Sequence, residues 1–160
     1  MSKIAIIGAT GRAGSQLLEE ALRRGHSVIA IARHTDTLAA RPGVTVKQVD
    51  ALDAAALQQA VSGSDVLISA AHFATLPAAS VIDPVKKAGV KRLLVVGGAG
   101  SLLLPGGGRV IDSEGFPAEY KAEASAGAAF LDVLREEKTL DWSFLSPSAE
   151  FVEDKRTGTF

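Results

Sequence analysis

The sequence predicts a three-layer α/β fold in which a parallel β-sheet lies between helices. Short runs of β-branched and apolar residues without polar alternation recur along the 160 residues, as expected for strands covered on both faces. Segments with a helical spacing of apolar residues alternate with these runs, which indicates parallel strands joined by right-handed crossovers. We therefore expect a doubly wound sheet of the Rossmann type, with strand order 3-2-1-4-5-6.

The composition limits the size and the class of the protein. A length of 160 residues predicts a single domain over 1–160, and its 5% of aromatic residues indicates a core of aliphatic side chains. The 17 basic and 18 acidic residues form no block of one sign, which argues against nucleic-acid binding. Without cysteine, and with three histidines that lack metal-ligand spacing, we expect no metal site. No leader or membrane-spanning pattern is present, so we expect a soluble cytoplasmic protein.

The first half of the chain contains four predicted strands, at 3–7, 27–32, 44–49 and 65–70. A helix is predicted at 15–24, where the apolar stripe ends before Gly25. Asp53 is expected to cap a second helix, which ends at Gly63.

The second half continues the alternation with predicted strands at 92–96 and 142–145. A helix at 78–89 contains Pro84, which either kinks it or begins a shorter helix capped by Asp83. The Gly- and Pro-rich segment 102–117 is expected to be a long mobile loop. An Ala-rich helix at 118–138 follows, with these residues expected to face inward: Ala122, Ala126, Phe130, Val133 and Leu134.

The turn after the first strand carries the clearest functional pattern. Gly8, Gly11 and Gly14 follow a buried strand and precede an amphipathic helix. Small residues let the backbone approach a phosphate, the helix N-terminus attracts the anion, and the third glycine permits close packing. The spacing has one residue more than the usual G-x-G-x-x-G, and the alternative is an ordinary turn, but the context favours a dinucleotide site. The predicted cofactor contacts in this turn are Gly8, Thr10, Gly11, Arg12, Ala13 and Gly14.

The end of the second strand indicates which dinucleotide binds. Where NAD-binding folds place an acid for the ribose 2′-hydroxyl, this chain has Arg33, followed by His34 and Thr35. A guanidinium binds a 2′-phosphate with two parallel hydrogen bonds. We therefore expect NADPH rather than NADH, with Arg12 near the same phosphate; the alternative for both arginines is a solvated surface position.

Several segments together resemble one known family. They are IGATGRAG (7–14), GHSV (25–28), AR (32–33), VD (49–50), GVKRLLVVGGAGSL (89–102) and WSFLSPS (142–148). Over essentially its whole length the chain resembles the atypical short-chain dehydrogenase/reductases. The likeness is greatest to the NAD(P)H-binding proteins described as NADH-flavin reductases, which are related to biliverdin reductase B and to NmrA-like proteins.

The resemblance implies further cofactor contacts and a longer chain. The implied positions are Asp50 and Ala51 beside the adenine, Ala70 and Ala71 along the cofactor ribose, Gly97 to Ser101 beside the nicotinamide, and Pro147 near its carboxamide. Members of the family usually continue several dozen residues beyond the point that matches Phe160. The resemblance therefore implies a C-terminal segment with part of the substrate pocket.

The positions of tyrosine and lysine also limit the type of reduction that the chain can catalyse. Ordinary short-chain reductases protonate a carbonyl with Tyr and a Lys four residues later, but Tyr120 is followed by Lys121, and Ala124 occupies the fourth position. Hydride transfer to a flavin or a similar conjugated ring needs mainly cofactor placement. In this hypothesis Ser101 orients the nicotinamide or the acceptor, His72 or Tyr120 borders the pocket, and 102–117 acts as a lid.

The sequence leaves alternatives open both for the roles of these residues and for the function of the chain. Ser101 could simply cap a turn, and His72 and Tyr120 could be packing residues. The chain could also be a redox sensor of the NmrA-like type, which binds the dinucleotide without turning it over. A sugar-nucleotide epimerase needs the missing Tyr/Lys pair. The sequence indicates a small-molecule acceptor but neither its identity nor an oligomeric state.

Overall fold

A computed structural model describes residues 1–152, 154, 155 and 158 of the chain. These residues form one sheet of six parallel strands in the order β3-β2-β1-β4-β5-β6. The strands are β1 Lys3–Ile7, β2 Ser27–Ala32, β3 Val44–Gln48, β4 Val66–Ser69, β5 Arg92–Val96 and β6 Asp141–Leu145. The helices are α1 Arg12–Arg23, α2 Ala54–Val61, α3 Ala78–Lys87 and α4 Ala118–Glu136. The predicted fold class and strand order are confirmed.

The sheet separates two apolar cores. On one face α1 packs through Leu18 and Ala21 against strand residues such as Ile6 and Val28. On the other face α2, α3 and α4 cover a larger core that includes these residues: Leu57, Val81, Val85, Leu93, Phe130 and Leu134. Helices on both faces leave the carboxyl ends of the strands along one edge, where such sheets bind ligands.

Local signals account for most helix ends. The Asp53 carboxylate accepts the Ala56 N–H at 3.0 Å, which confirms the predicted cap of α2. Helix α3 begins after Pro77 and continues through Pro84 to Lys87, so a shorter helix capped by Asp83 is wrong. The Ala88 N–H bonds the Pro84 carbonyl at 2.9 Å, and the hydrogen-bond ladder thus resumes beyond the proline.

The segment 102–117, expected to be a mobile loop, has its own structure. Leu103 and Arg109 form an antiparallel bridge, and a 3₁₀ turn spans Val110–Asp112. Two contacts join the segment to α4: Arg109 pairs with Asp132 at 2.9 Å, and the Lys121 ammonium donates to the Ile111 carbonyl at 2.6 Å. The segment is therefore fastened to the helix that follows it.

The buried face of α4 differs from the predicted one. Phe130 and Leu134 are buried as expected, but Ala122 and Val133 are exposed. The face is turned toward Gly127 and Ala128, because Phe73 from the segment after β4 and Gly100 from the turn after β5 pack on that side. There a Cβ on Gly100 would lie 2.9 Å from the Ala124 Cβ, so only a glycine fits.

Membrane-spanning helices and metal-ligand clusters are both absent from the described residues. None of their helices combines the length and the apolar character needed to cross a membrane. No group of three or more His, Cys, Asp and Glu side chains among them is arranged to hold a metal ion.

Candidate functional site

A cleft of about 1030 Å³ lies at the carboxyl ends of the strands. Its volume is in the range of cofactor sites. Residues at or just after the ends of five strands line it: Ile7 and Gly8, Ala32 and Arg33, Ala70 and Ala71, Val96, and Leu145. Val49, Asp50 and Ala51 line it after β3. The cleft thus follows the whole edge of the sheet.

The glycine turn at the centre of the cleft needs glycine at two positions for steric reasons. Gly8 has φ +78°, and a Cβ there would lie 2.7 Å from the Ala70 carbonyl oxygen. At Gly14 a Cβ would overlap the Gly8 carbonyl, so the third glycine brings α1 directly against the turn. Gly14 is buried and does not line the cleft, in agreement with a packing role.

The N-terminus of α1 opens into this cleft. Gly11 is its N-cap residue and provides no side-chain cap, while Gly11, Arg12 and Ala13 line the cleft with Thr10. First-turn N–H groups that no side chain caps are a ready site for an anion, and the helix dipole adds to the attraction. The turn therefore has the geometry and the charge to hold a diphosphate.

Two arginines at the cleft have no carboxylate partner among the described residues. In the described part of the chain, six other arginines pair with carboxylates: Arg23, Arg24, Arg41, Arg92, Arg109 and Arg135. Arg12 and Arg33 make no side-chain hydrogen bond or ion pair with the described residues, and both line the cleft. Their guanidinium groups are consequently free to bind an anionic ligand.

Two carboxylates also line the cleft. Asp50 follows β3, and its Oδ1 accepts the Leu52 N–H at 3.0 Å. Asp154 accepts the N–H of Lys155 at 2.6 Å. Neither lies at the tip of β2, where Arg33 and His34 stand. The end of the cleft near β2 is therefore basic.

The cleft continues past β1 to the residues after β4, but none of the residues predicted beside the nicotinamide line it. Ala70, Ala71 and His72 line it after β4, and His72 is 85% exposed. Gly97, Ser101, Tyr120 and Pro147 are not among the lining residues. Their assignment to the cofactor or to catalysis stays a prediction.

The surroundings of Ser101 and Gly97 are packed. The Ser101 hydroxyl donates to the Gly98 carbonyl at 3.3 Å and lies 3.4 Å from the Ser146 hydroxyl. A Cβ on Gly97 would overlap the Phe144 ring, so this glycine makes room for an aromatic side chain. Both residues therefore have a local structural role in addition to any contact with a ligand.

The side chains of Tyr120 and Lys121 lie in different surroundings. The tyrosine is 62% exposed in the first turn of α4. The Lys121 ammonium lies 5.7 Å from the centre of the Phe116 ring and donates to segment 102–117. These two side chains do not form the paired arrangement that lowers a phenol pKa in ordinary short-chain reductases.

Sequence reasoning missed several apolar residues of the cleft lining. Leu17 from α1 lines it with Val96, Leu145, Phe151 and Val152. Leu145 was identifiable as a strand end, but no local pattern places Phe151 and Val152 in the cleft. Apolar walls of this kind exclude water from a bound ring.

The fold and the cleft define an oxidoreductase-like, nucleotide-binding α/β protein. The chain belongs to the family described as NAD(P)H-binding, whose model matches residues 8–159, in agreement with the predicted resemblance. It is 36% identical to YwnB of Bacillus subtilis strain 168, itself described as uncharacterized, over 99% of this chain and 78% of that protein.

Solved structures with the same fold include three that exceed 35% identity. A candidate epimerase from Bacteroides thetaiotaomicron has a TM-score of 0.92 and 38% identity, over 99% of this chain and 76% of the other. A candidate NADH-flavin reductase from Streptococcus pneumoniae has a TM-score of 0.82 and 36% identity, over 99% of this chain and 78% of the other.

Proposed function

We propose that the chain is a reductase that binds NADPH and passes hydride to a flat conjugated acceptor such as a flavin. The observation that carries this proposal is the pair of guanidinium groups, without a partner among the described residues, that line the cleft with the open N-terminus of α1. NADPH differs from NADH by a 2′-phosphate on the adenosine side. Arg33, with Arg12 near it, would neutralise that phosphate.

The proposed contacts follow the cleft from one end to the other. The 8–14 turn would hold the diphosphate, Asp50 and Ala51 the adenine, and Ala70 and Ala71 the ribose of the nicotinamide half. Gly97, Ser101 and Pro147 would lie beside the nicotinamide, with His72 and Tyr120 at the border of the pocket. The roles of Gly97 and Pro147 rest on the family resemblance alone, whereas those of Ser101, His72 and Tyr120 come from the hydride-transfer hypothesis.

The proposed hydride transfer requires few catalytic side chains. Bound NADPH supplies a hydride, and the residues of this chain place the acceptor against it. The apolar surface of Leu17, Val96 and Leu145 would receive a flat ring and exclude water from one side. Water at the open side can provide the proton, so no buried acid is required.

A second candidate function is a redox sensor that binds NADPH without turnover. It is favoured by the exposure of Tyr120 and by the position of Ser101 outside the cleft lining. A similar relative is described as a candidate epimerase, but this chain lacks the Tyr/Lys arrangement that epimerases use.

The test mixes purified protein with NADPH and FMN and follows the loss of reduced-nicotinamide absorbance, with NADH in a parallel series. The proposal expects oxidation above the protein-free flavin background, and faster with NADPH than with NADH. Tight NADPH binding without oxidation of any flavin would favour the sensor. No binding of either nucleotide would overturn both.

A further inference from the structure

A carboxylate on α4 holds the turn that follows β4. Glu123 Oε1 accepts the Phe73 N–H at 2.7 Å, and its Oε2 accepts the Ala74 N–H at 2.9 Å. His72 Nδ1 lies 3.5 Å from the same Oε1. Both carboxylate oxygens are thus directed at one short segment, 50 and 49 residues earlier in the chain. Hydrogen bonds to a charged acceptor are about twice as strong as neutral ones.

This segment forms a compact turn at the edge of the cleft. The His72 carbonyl accepts the Leu76 N–H at 3.1 Å and the Thr75 hydroxyl at 3.1 Å. The residues at both ends of the turn line the cleft: Ala71, His72, Thr75 and Leu76. Glu123 binds the first two free N–H groups of the turn, as an N-cap residue does for a helix, but from a different element.

The Phe73 side chain fastens the same turn to α4 a second time. Its ring is buried between Phe130, at 5.2 Å between ring centres, and Phe144, at 5.7 Å. Gly127, one helical turn after Glu123, makes room for it, since a Cβ there would lie 3.0 Å from the ring. One face of α4 thus receives both the backbone and the ring of this segment.

We infer that Glu123 is a positioning residue that fixes the cleft wall at 71–76 in the orientation that receives the nicotinamide half of the cofactor. This inference rests on the proposed function for the identity of the ligand. Glu123 does not line the cleft, and its oxygens are occupied by the two N–H groups, so it acts through the turn and not on the reacting atoms. A wall that is out of place by a fraction of a hydrogen-bond length is enough to weaken binding there.

The first arm of the test compares Glu123→Gln with the control Glu136→Gln, an exposed position on the same helix. A glutamine can accept one of the two N–H groups but turns an NH₂ toward the other. Each variant is titrated with NADPH and with 2′,5′-ADP, which carries only the adenosine half. We expect Glu123→Gln to weaken NADPH binding about tenfold and to leave 2′,5′-ADP within about twofold of wild type. The control should leave both unchanged.

The second arm measures amide hydrogen exchange without any ligand. In Glu123→Gln the amides of Phe73 and Ala74 should exchange about tenfold faster or more, while amides in β1 keep their rates. Unchanged exchange at Phe73 and Ala74, equal loss of both ligands, or unaltered NADPH binding would each overturn the inference. If wild type binds neither nucleotide, the proposed function fails, and the exchange rates alone decide whether Glu123 holds the turn.

Discussion

At the scale of single residues, the cleft is distinguished by two arginines that have no carboxylate partner among the described residues. Arginines elsewhere in the described chain are neutralised by carboxylates, whereas Arg12 and Arg33 present free guanidinium groups to the cleft. Both guanidinium groups are exposed, so water solvates them and an anionic ligand can displace that water. The type of residue at position 33 was readable in the sequence, but the absence of a partner among the described residues was not.

The first residue-scale prediction concerns cofactor choice. Arg33→Gln should weaken NADPH binding by about 10- to 100-fold, because it removes a charge-assisted contact to the 2′-phosphate, and should change NADH binding by less than about threefold. Isothermal calorimetry with both nucleotides measures the effect. Arg24→Gln, which removes the same charge from an exposed site paired with Glu20, is the matched control. Equal weakening of NADPH and NADH would contradict the assignment.

The second residue-scale prediction separates the energetic cost of a positive φ from the cost of steric overlap. Gly8 and Gly63 both have positive φ, but a Cβ on Gly8 meets the Ala70 backbone, whereas a Cβ on Gly63 meets nothing within 4 Å. Gly63→Ala should cost about 1 kcal/mol of the free energy of unfolding. Gly8→Ala should cost about 3 kcal/mol or more and abolish nucleotide binding. Urea unfolding of both variants measures the two losses in the free energy of unfolding. Equal losses would show that the close approach of Gly8 to the Ala70 backbone is unimportant.

At the scale of elements, charged side chains at helix ends join neighbouring segments. Glu137 follows α4 and accepts hydrogen bonds from the Thr139 hydroxyl at 2.7 Å and from the Lys86 ammonium of α3 at 2.9 Å. These contacts, with Thr139 contributing most, lower the pKa of Glu137 from 4.5 to about 2. Because the folded state has the lower pKa, the ionised carboxylate stabilises the fold above pH 4.5.

The element-scale prediction is a pH dependence with a defined sign. The stabilisation by Glu137 is fully present above pH 4.5 and is lost as the pH falls toward 2. The difference in urea midpoint between wild type and Glu137→Gln should therefore be largest near neutral pH and shrink through this acidic range. Glu136→Gln, at the neighbouring exposed position, should show a small difference at every pH. If the difference in urea midpoint between wild type and Glu137→Gln stays constant with pH, the ionisation of Glu137 does not contribute to stability as expected.

The elements themselves were largely predictable, and the errors share one cause. β1, β2 and β5 have the expected bounds, because continuous apolar runs between glycines and charged residues are local signals. On α4 the periodicity located the helix but misplaced Ala122 and Val133. An Ala-rich helix has apolar residues on several sides, so its neighbours decide which side is buried.

At the scale of the whole molecule, we expect the six strands and both cores to unfold together. Trp142, the one tryptophan in the sequence, lies on the edge strand β6 and reports on that end of the sheet. Circular dichroism reports on all the helices. Coincident melting curves from the two signals would support a single domain over 1–160, and separated curves would contradict it.

The last prediction couples the ligand to this transition. NADPH at about 100 times its dissociation constant should stabilise the folded chain by about 2.7 kcal/mol and raise Tm by about 5–10 °C in both signals. Arg33→Gln at the same NADPH concentration should show a smaller rise. A Tm that does not respond to NADPH would argue against a nucleotide site in the cleft.

By itself the sequence determined most strands, the glycine turn and the basic residue after β2, because hydrophobic period and residue type are properties of neighbouring positions; it only favoured the strand order that the structure confirms. Only the tertiary structure decided that Arg12 and Arg33 have no partner among the described residues, that Ser101 and Tyr120 lie outside the cleft lining, and that Glu123 reaches the turn after β4. Those relations join residues far apart in the chain, and the packing of whole elements sets them, which no local pattern encodes.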